Sequence, residues 1–124
     1  MTPFGEHLRK LRQERGVTQK EMAKAIGISP AYLSALEHGK RGQPSWPMQQ
    51  RIVGFLNIIW DDAEELQRLA QLSDPKVSVN TSDLSSQATL TANLLGKYIA
   101  RLNDDDLRSI QDVIEKSLTS KNGS

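Results

Sequence analysis

Apolar side chains recur at three- and four-residue intervals along most of the chain, and glycines, prolines and polar clusters break the pattern. Phe4, Leu8, Leu11 and Arg15 mark one face of a first helix, from about Pro3 to Arg15, and Gly16 ends it. Thr18 is placed to cap a second helix, with Glu21 three residues on to complete a capping box. Met22, Ala23 and Ile26 form the inner face of that helix. Gly27 follows, where a helix end favours a positive φ, and Ile28 is an apolar plug in the turn. Ser29 caps a third helix with Pro30 at its first position, Leu33 and Leu36 face inward, and Gly39 ends it.

His38 to Pro47 holds two glycines, two prolines and a basic pair, which predicts a loop. A fourth helix follows from about Pro47, with Ile52, Val53 and Leu56 inward. Asp61 and Glu64 suggest a capped start for a fifth helix, AEELQRLAQL, with Leu66, Leu69 and Leu72 inside, and Asp74-Pro75 stops it. Trp60 is expected in the core, and Trp46 is expected to pack on the domain or lie at an interface.

Lys76 to Ser86 is polar and rich in Ser and Thr; Val77 and Val79 alternate, which fits a linker or a short extended segment. Beyond it, Leu90, Leu94, Leu95, Ile99 and Leu102 form a stripe of helical period. Asn103 caps another helix, and Asp104 to Asp106 favour its positive N-terminal end. Its inner face is Leu107, Ile110, Val113, Ile114 and Leu118. Two helices joined this way form an αα-hairpin. They cannot cover each other's stripes, so the rest packs on the first domain or on a second copy.

The expected architecture is therefore all-α: five helices over residues 1–73, a linker over 74–85, a helical hairpin over 86–118, and a flexible tail over 119–124. Composition agrees, with 37% hydrophobic and only 5% aromatic residues. The absence of cysteine excludes disulfides, thiol nucleophiles and cysteine metal sites. No apolar run approaches a membrane span, and the first ten residues carry no signal-peptide core, so a cytoplasmic location is expected. His7 and His38 have no ligand partners at metal spacing, and no nucleotide loop or activated nucleophile is present; neither a cofactor nor enzymatic activity is expected.

The formal charge of +1 hides a division. Residues 1–51 carry nine basic side chains against four acidic, whereas the remainder carries seven against eleven. A basic N-terminal surface suits a polyanion.

Residues 4–73 resemble the DNA-binding domain of the Xre/Cro family, named for phage repressors. The resemblance rests on LRKLRQERGVTQKEMAKAIGIS and the following PAYLSALEHGKR, with Thr18-Gln19, Ala23, Gly27, Leu33, Leu36-Glu37 and Gly39 at family spacing. It implies a repressor-like helix-turn-helix fold whose third helix enters the major groove of duplex DNA. The residues it brings to the interface are Gln19, Lys20, Ser29, Pro30, Ala31, Tyr32, Ser34, Lys40 and Arg41, with Ala35 also on the exposed side. Gln19 is then a phosphate contact that braces the recognition helix, and Lys40 and Arg41 are loop contacts to phosphate. The resemblance also joins Arg12 and Glu37 as a partly buried, structural ion pair. It implies a sequence-specific transcriptional regulator, with repression as the expected mode, acting as a homodimer on a palindromic operator. Leu90, Leu94, Leu95, Ile99, Leu107, Ile110 and Ile114 are the expected dimer interface. The alternative is an antitoxin-like or adaptor protein whose C-terminal helices bind a partner protein.

Overall fold

A computed structural model describes residues 1–40 and 43–122, and every regular element among them is helical. The elements are α1 (Pro3–Glu14), α2 (Gln19–Ile26), α3 (Pro30–Glu37), α4 (Trp46–Leu56), α5 (Trp60–Gln71), α6 (Ser86–Tyr98), a single 3₁₀ turn (Ile99–Arg101) and α7 (Asp104–Asn122). They fall into two compact units that divide between Val77 and Ser78.

In the first unit, α1 packs on α3 and α5, while α2 packs on α3 and α4. Phe4, Leu8, Met22, Ala23, Ile26, Leu33, Leu36, Ile52, Leu56, Ile58, Leu66 and Ala70 make one continuous core. Leu11, Ile28, Val53 and Leu69 are partly buried against it. The local signals set the helix boundaries. Thr2, Thr18, Ser29 and Ser45 each accept a hydrogen bond from the backbone N–H three residues on, fixing the starts of α1 to α4. At Thr18 the reciprocal contact differs from a full capping box: its hydroxyl donates to Glu21 Oε1 at 3.0 Å.

The start of α5 departs from expectation. The helix begins at Trp60 behind Ile59, with no side-chain cap, so Asp61 lies inside the first turn and caps nothing. Trp60 takes a φ of +40° and is 83% exposed instead of sitting in the core. At this point the chain has just left a left-handed Asn57 (φ +52°) and buried Ile58. The next two apolar side chains turn outward. Leu72 is also outside, at 61% exposure, because α5 ends at Gln71 before its stripe reaches that position. Trp46 is 55% exposed at the start of α4.

The ends of this unit are fastened together. Ser73, buried, accepts a hydrogen bond from the Phe4 N–H at 2.9 Å and donates to the Leu69 carbonyl. Ser73→Ala leaves the Phe4 N–H buried without that acceptor and is expected to cost about 1–3 kcal/mol, read from chemical denaturation.

The second unit is of another kind. Val77 to Asn80 run without regular structure and without a ladder partner among the described residues. Asn80 Oδ1 takes hydrogen bonds from the Ser82 N–H and hydroxyl, and the Thr81 and Thr89 hydroxyls meet at 2.8 Å. Ser85 caps α6, and Asn103 and Asp106 form a reciprocal capping box at α7, with bonds of 2.8 and 3.2 Å. The last helix runs on to Asn122, past Leu118 where it was expected to stop. Among the described side chains of this unit, none is buried.

Candidate nucleic-acid interface

Two helices of eight residues each, too short to persist alone in water, are joined by a tight turn. Gly27, at φ +77°, makes that turn in the left-handed region, and the Ile28 N–H closes it on the Ala23 carbonyl at 2.9 Å. Ile28 then leans on the core, and Ser29 Oγ accepts the Tyr32 N–H at 3.0 Å to begin α3. The angle between α2 and α3 is thus held by an αL glycine, an apolar plug and a cap.

The inner side of α3 is Leu33, Leu36 and Glu37, all buried. Glu37 is a carboxylate at the negative end of a helix and fully removed from water, two conditions that each disfavour its charge. Its partners meet that cost. Arg12 Nε donates to Oε2 at 2.8 Å and Arg12 Nη2 to Oε1 at 3.0 Å, a forked pairing. Gln19 Nε2 adds a third bond to Oε1 at 3.3 Å. The remaining arm of Arg12, Nη1, donates to the Val17 carbonyl at 2.8 Å. One buried carboxylate therefore ties together the end of α1, the α1–α2 loop, the start of α2 and the end of α3. Neither the Val17 carbonyl nor the Gln19–Glu37 bond was signalled by local sequence.

A close approach supports the same corner from the other side. At Gly5 a Cβ would lie 2.5 Å from the Leu36 carbonyl oxygen and 2.7 Å from that of Glu37. The bare α-carbon lets α1 lie directly against the last turn of α3. A lone glycine three residues into a helical pattern carries no sequence signal for this, since the surface that it meets is about thirty residues away.

The outer side of α3 presents Pro30 and Ala31 to solvent, while Tyr32, Ser34 and Ala35 are partly buried. Ser34 is engaged with His38: its carbonyl accepts from His38 Nδ1 at 2.8 Å, so that nitrogen carries the proton. Ser29 is occupied as the cap. Lys20, in the first turn of α2, and Lys40, just after α3, are both exposed, and the Lys40 N–H closes on the Ala35 carbonyl at 2.9 Å. Arg41 lies outside the described residues. Leu90, Leu94, Leu95, Ile99, Leu107, Ile110 and Ile114 lie in the second unit, along α6, the 3₁₀ turn and α7.

A family model described as a helix-turn-helix domain matches residues 3–75, the whole of the five-helix unit. The chain belongs to this family, as an Xre-like regulator. Its curated relatives are regulators as well. The uncharacterized HTH-type transcriptional regulator RghRB of Bacillus subtilis is 37% identical over 62 residues, covering 50% of this chain and 45% of the relative. The HTH-type transcriptional repressor RghR of the same organism is 39% identical over 61 residues, covering 49% and 45%. The chain thus spans a little under half the length of these two relatives. The HTH-type transcriptional regulator DdrOP3 of Deinococcus deserti is 35% identical over 104 residues, 83% of this chain and 80% of that protein. That similarity is longer than the first unit, so it extends into the second. The helix-turn-helix regulator is accordingly a DNA-binding protein by family, and none of its helices, among the described residues, is long and apolar enough to cross a membrane.

Proposed function

We propose that the chain is a transcriptional repressor that binds a palindromic duplex operator as a homodimer, with α3 of each copy in the major groove. The observation that carries this reading is the presentation of α3. Its inner side is locked by Leu33, Leu36 and the Glu37–Arg12–Gln19 cluster, Pro30 and Ala31 face outward, and exposed Lys20 and Lys40 stand beside it in sequence at both ends of the motif. Ala31 suits a thymine methyl, and Lys20 and Lys40 suit phosphates. The outer face offers few hydrogen-bond groups for base edges, so part of the specificity is assigned to DNA shape. Repression requires only occupancy of a promoter, and one relative, RghR, is named a repressor. Two copies double the contacts that one small domain makes, and a pair of half-sites about 34 Å apart matches two-fold symmetry.

The test is selection of bound duplexes from a random pool, followed by anisotropy titrations across salt concentrations. The expected product is an inverted repeat preferred over competitor DNA. Lys20→Ala and Lys40→Ala are each expected to weaken binding evenly across sequences and to reduce the salt slope by about 0.9. Loss of all duplex preference at physiological salt sinks the proposal. A stoichiometric second protein held by residues 86–118, with no duplex preference, would assign the adaptor role instead.

A further inference from the structure

The second unit lacks an interior. From Ser78 to Ser120 none of the described side chains is buried, and Leu90, Leu94, Tyr98, Ile99, Val113, Ile114 and Leu118 are between 43% and 66% exposed. A segment of this size with no covered apolar surface cannot offset the entropy of ordering two helices. Its stability must come from association. The same unit carries two complementary shapes. Between α6 and α7 lies an apolar groove of about 240 Å³, lined by Thr91, Leu94, Leu95, Tyr98, Leu102 and Ile110. Beyond Ile110, α7 continues for twelve more residues, about 18 Å of helix, and its apolar positions there are the exposed Val113, Ile114 and Leu118.

We propose that this unit folds as half of an interlocked pair: the distal half of α7 fills the groove of a second copy, and its own groove receives the partner's α7. The proposal rests on the homodimer reading above and specifies how the two copies engage. Self-complementarity favours a second copy over a foreign protein, because one two-fold axis fills both grooves and covers both projecting ends at once. Charge points the same way. The groove has a basic rim, since the Arg101 guanidinium lies 5.4 Å over the ring of Tyr98, a lining residue, and Lys97 precedes it; α6 has no acidic residue. The projecting end of α7 is flanked by exposed Asp112 and Glu115, and Lys116 between them and Leu118 leaves the net sign negative. Insertion therefore sets acid against base on both sides of the axis.

The experiment uses the full chain, with oligomeric state read by sedimentation equilibrium and native mass spectrometry. Two variants reverse one side each: Lys97→Glu with Arg101→Glu, and Asp112→Lys with Glu115→Lys. Alone, each faces like charge across both contacts, and its dimer is expected to dissociate at least about tenfold more readily than the wild type. Mixed, the two are expected to form heterodimers in preference to either homodimer, since both contacts are then complementary. An unchanged thermal transition of the first unit in each variant shows that the fold is intact. A wild-type chain that is monomeric at tens of micromolar (roughly 8 kcal/mol or weaker at that scale) overturns the interlock and the homodimer together. A wild-type dimer whose variants associate as tightly as it does, or fail to pair when mixed, overturns the interlock and leaves the homodimer standing.

Discussion

Arg12→Met is expected to cost the first unit about 3–5 kcal/mol, enough to unfold much of the protein at physiological temperature. Methionine keeps most of the apolar stem, so the packing of α1 against its neighbours changes little. What it removes is the forked pairing to Glu37 and the bond to the Val17 carbonyl. Glu37 is then a fully buried carboxylate at the negative end of α3, retaining only the Gln19 amide. Removing one member of a buried pair is worse than removing both, because the remaining charge is left uncompensated. The double variant Arg12→Met with Glu37→Met is thus expected to recover a substantial part of the loss. Thermal and denaturant melts of the two variants check this. For a domain of this size each kilocalorie per mole shifts the midpoint by about 4–8 °C, so the single variant is expected to melt at least 12 °C below wild type. A melt unchanged from wild type would show that the cluster is not holding α3.

Gly5→Ala is the second large effect. On helix propensity alone the change favours α1 by about 1 kcal/mol. Sterics oppose it: the added methyl would stand 2.5 and 2.7 Å from two backbone oxygens, and backbone cannot swing aside as a side-chain tip can. To admit it, α1 must lift away from the end of α3, lengthening the Arg12–Glu37 bonds and opening the core at Phe4 and Leu8. Overpacking of this kind costs about 1–3 kcal/mol and occasionally more, so a net loss is expected despite the better helix former. Gly54, an exposed helical glycine with open space around its α-carbon, is the control: Gly54→Ala is neutral or stabilising on the same assay.

These two sites show where the sequence is readable and where it is not. The helix-turn-helix scaffold is built from short-range contacts: Ser29 to Tyr32, Thr18 to Glu21, Ile28 to Ala23. Caps and turn glycines act over three to five residues, so they can be read directly from the chain. The start of α5 misleads because Asp61 and Glu64 have cap spacing, while the positive φ at Trp60 that moves the helix start is invisible to spacing. Leu72 misleads because periodicity continues on paper past the last helical residue. The Arg12–Glu37 pairing spans 25 residues and entered through family resemblance, not through any local rule. Gly5 is silent for the same reason: its necessity belongs to the helix that it touches. The absence of buried side chains in the second unit was legible in part, since two amphipathic helices leave stripes uncovered, but the groove and the projecting end are matters of three-dimensional shape.

The outward placement of Trp46 and Trp60 has a spectroscopic consequence. These are the protein's two tryptophans, and both indoles are largely hydrated in the folded chain. Unfolding moves neither from an apolar to an aqueous setting, so intrinsic emission is a poor monitor of global stability, and circular dichroism is the appropriate signal for the melts above. The same placement makes the emission a reporter of whatever comes to rest on Trp46 or Trp60, whose environment changes only when something outside the domain covers it.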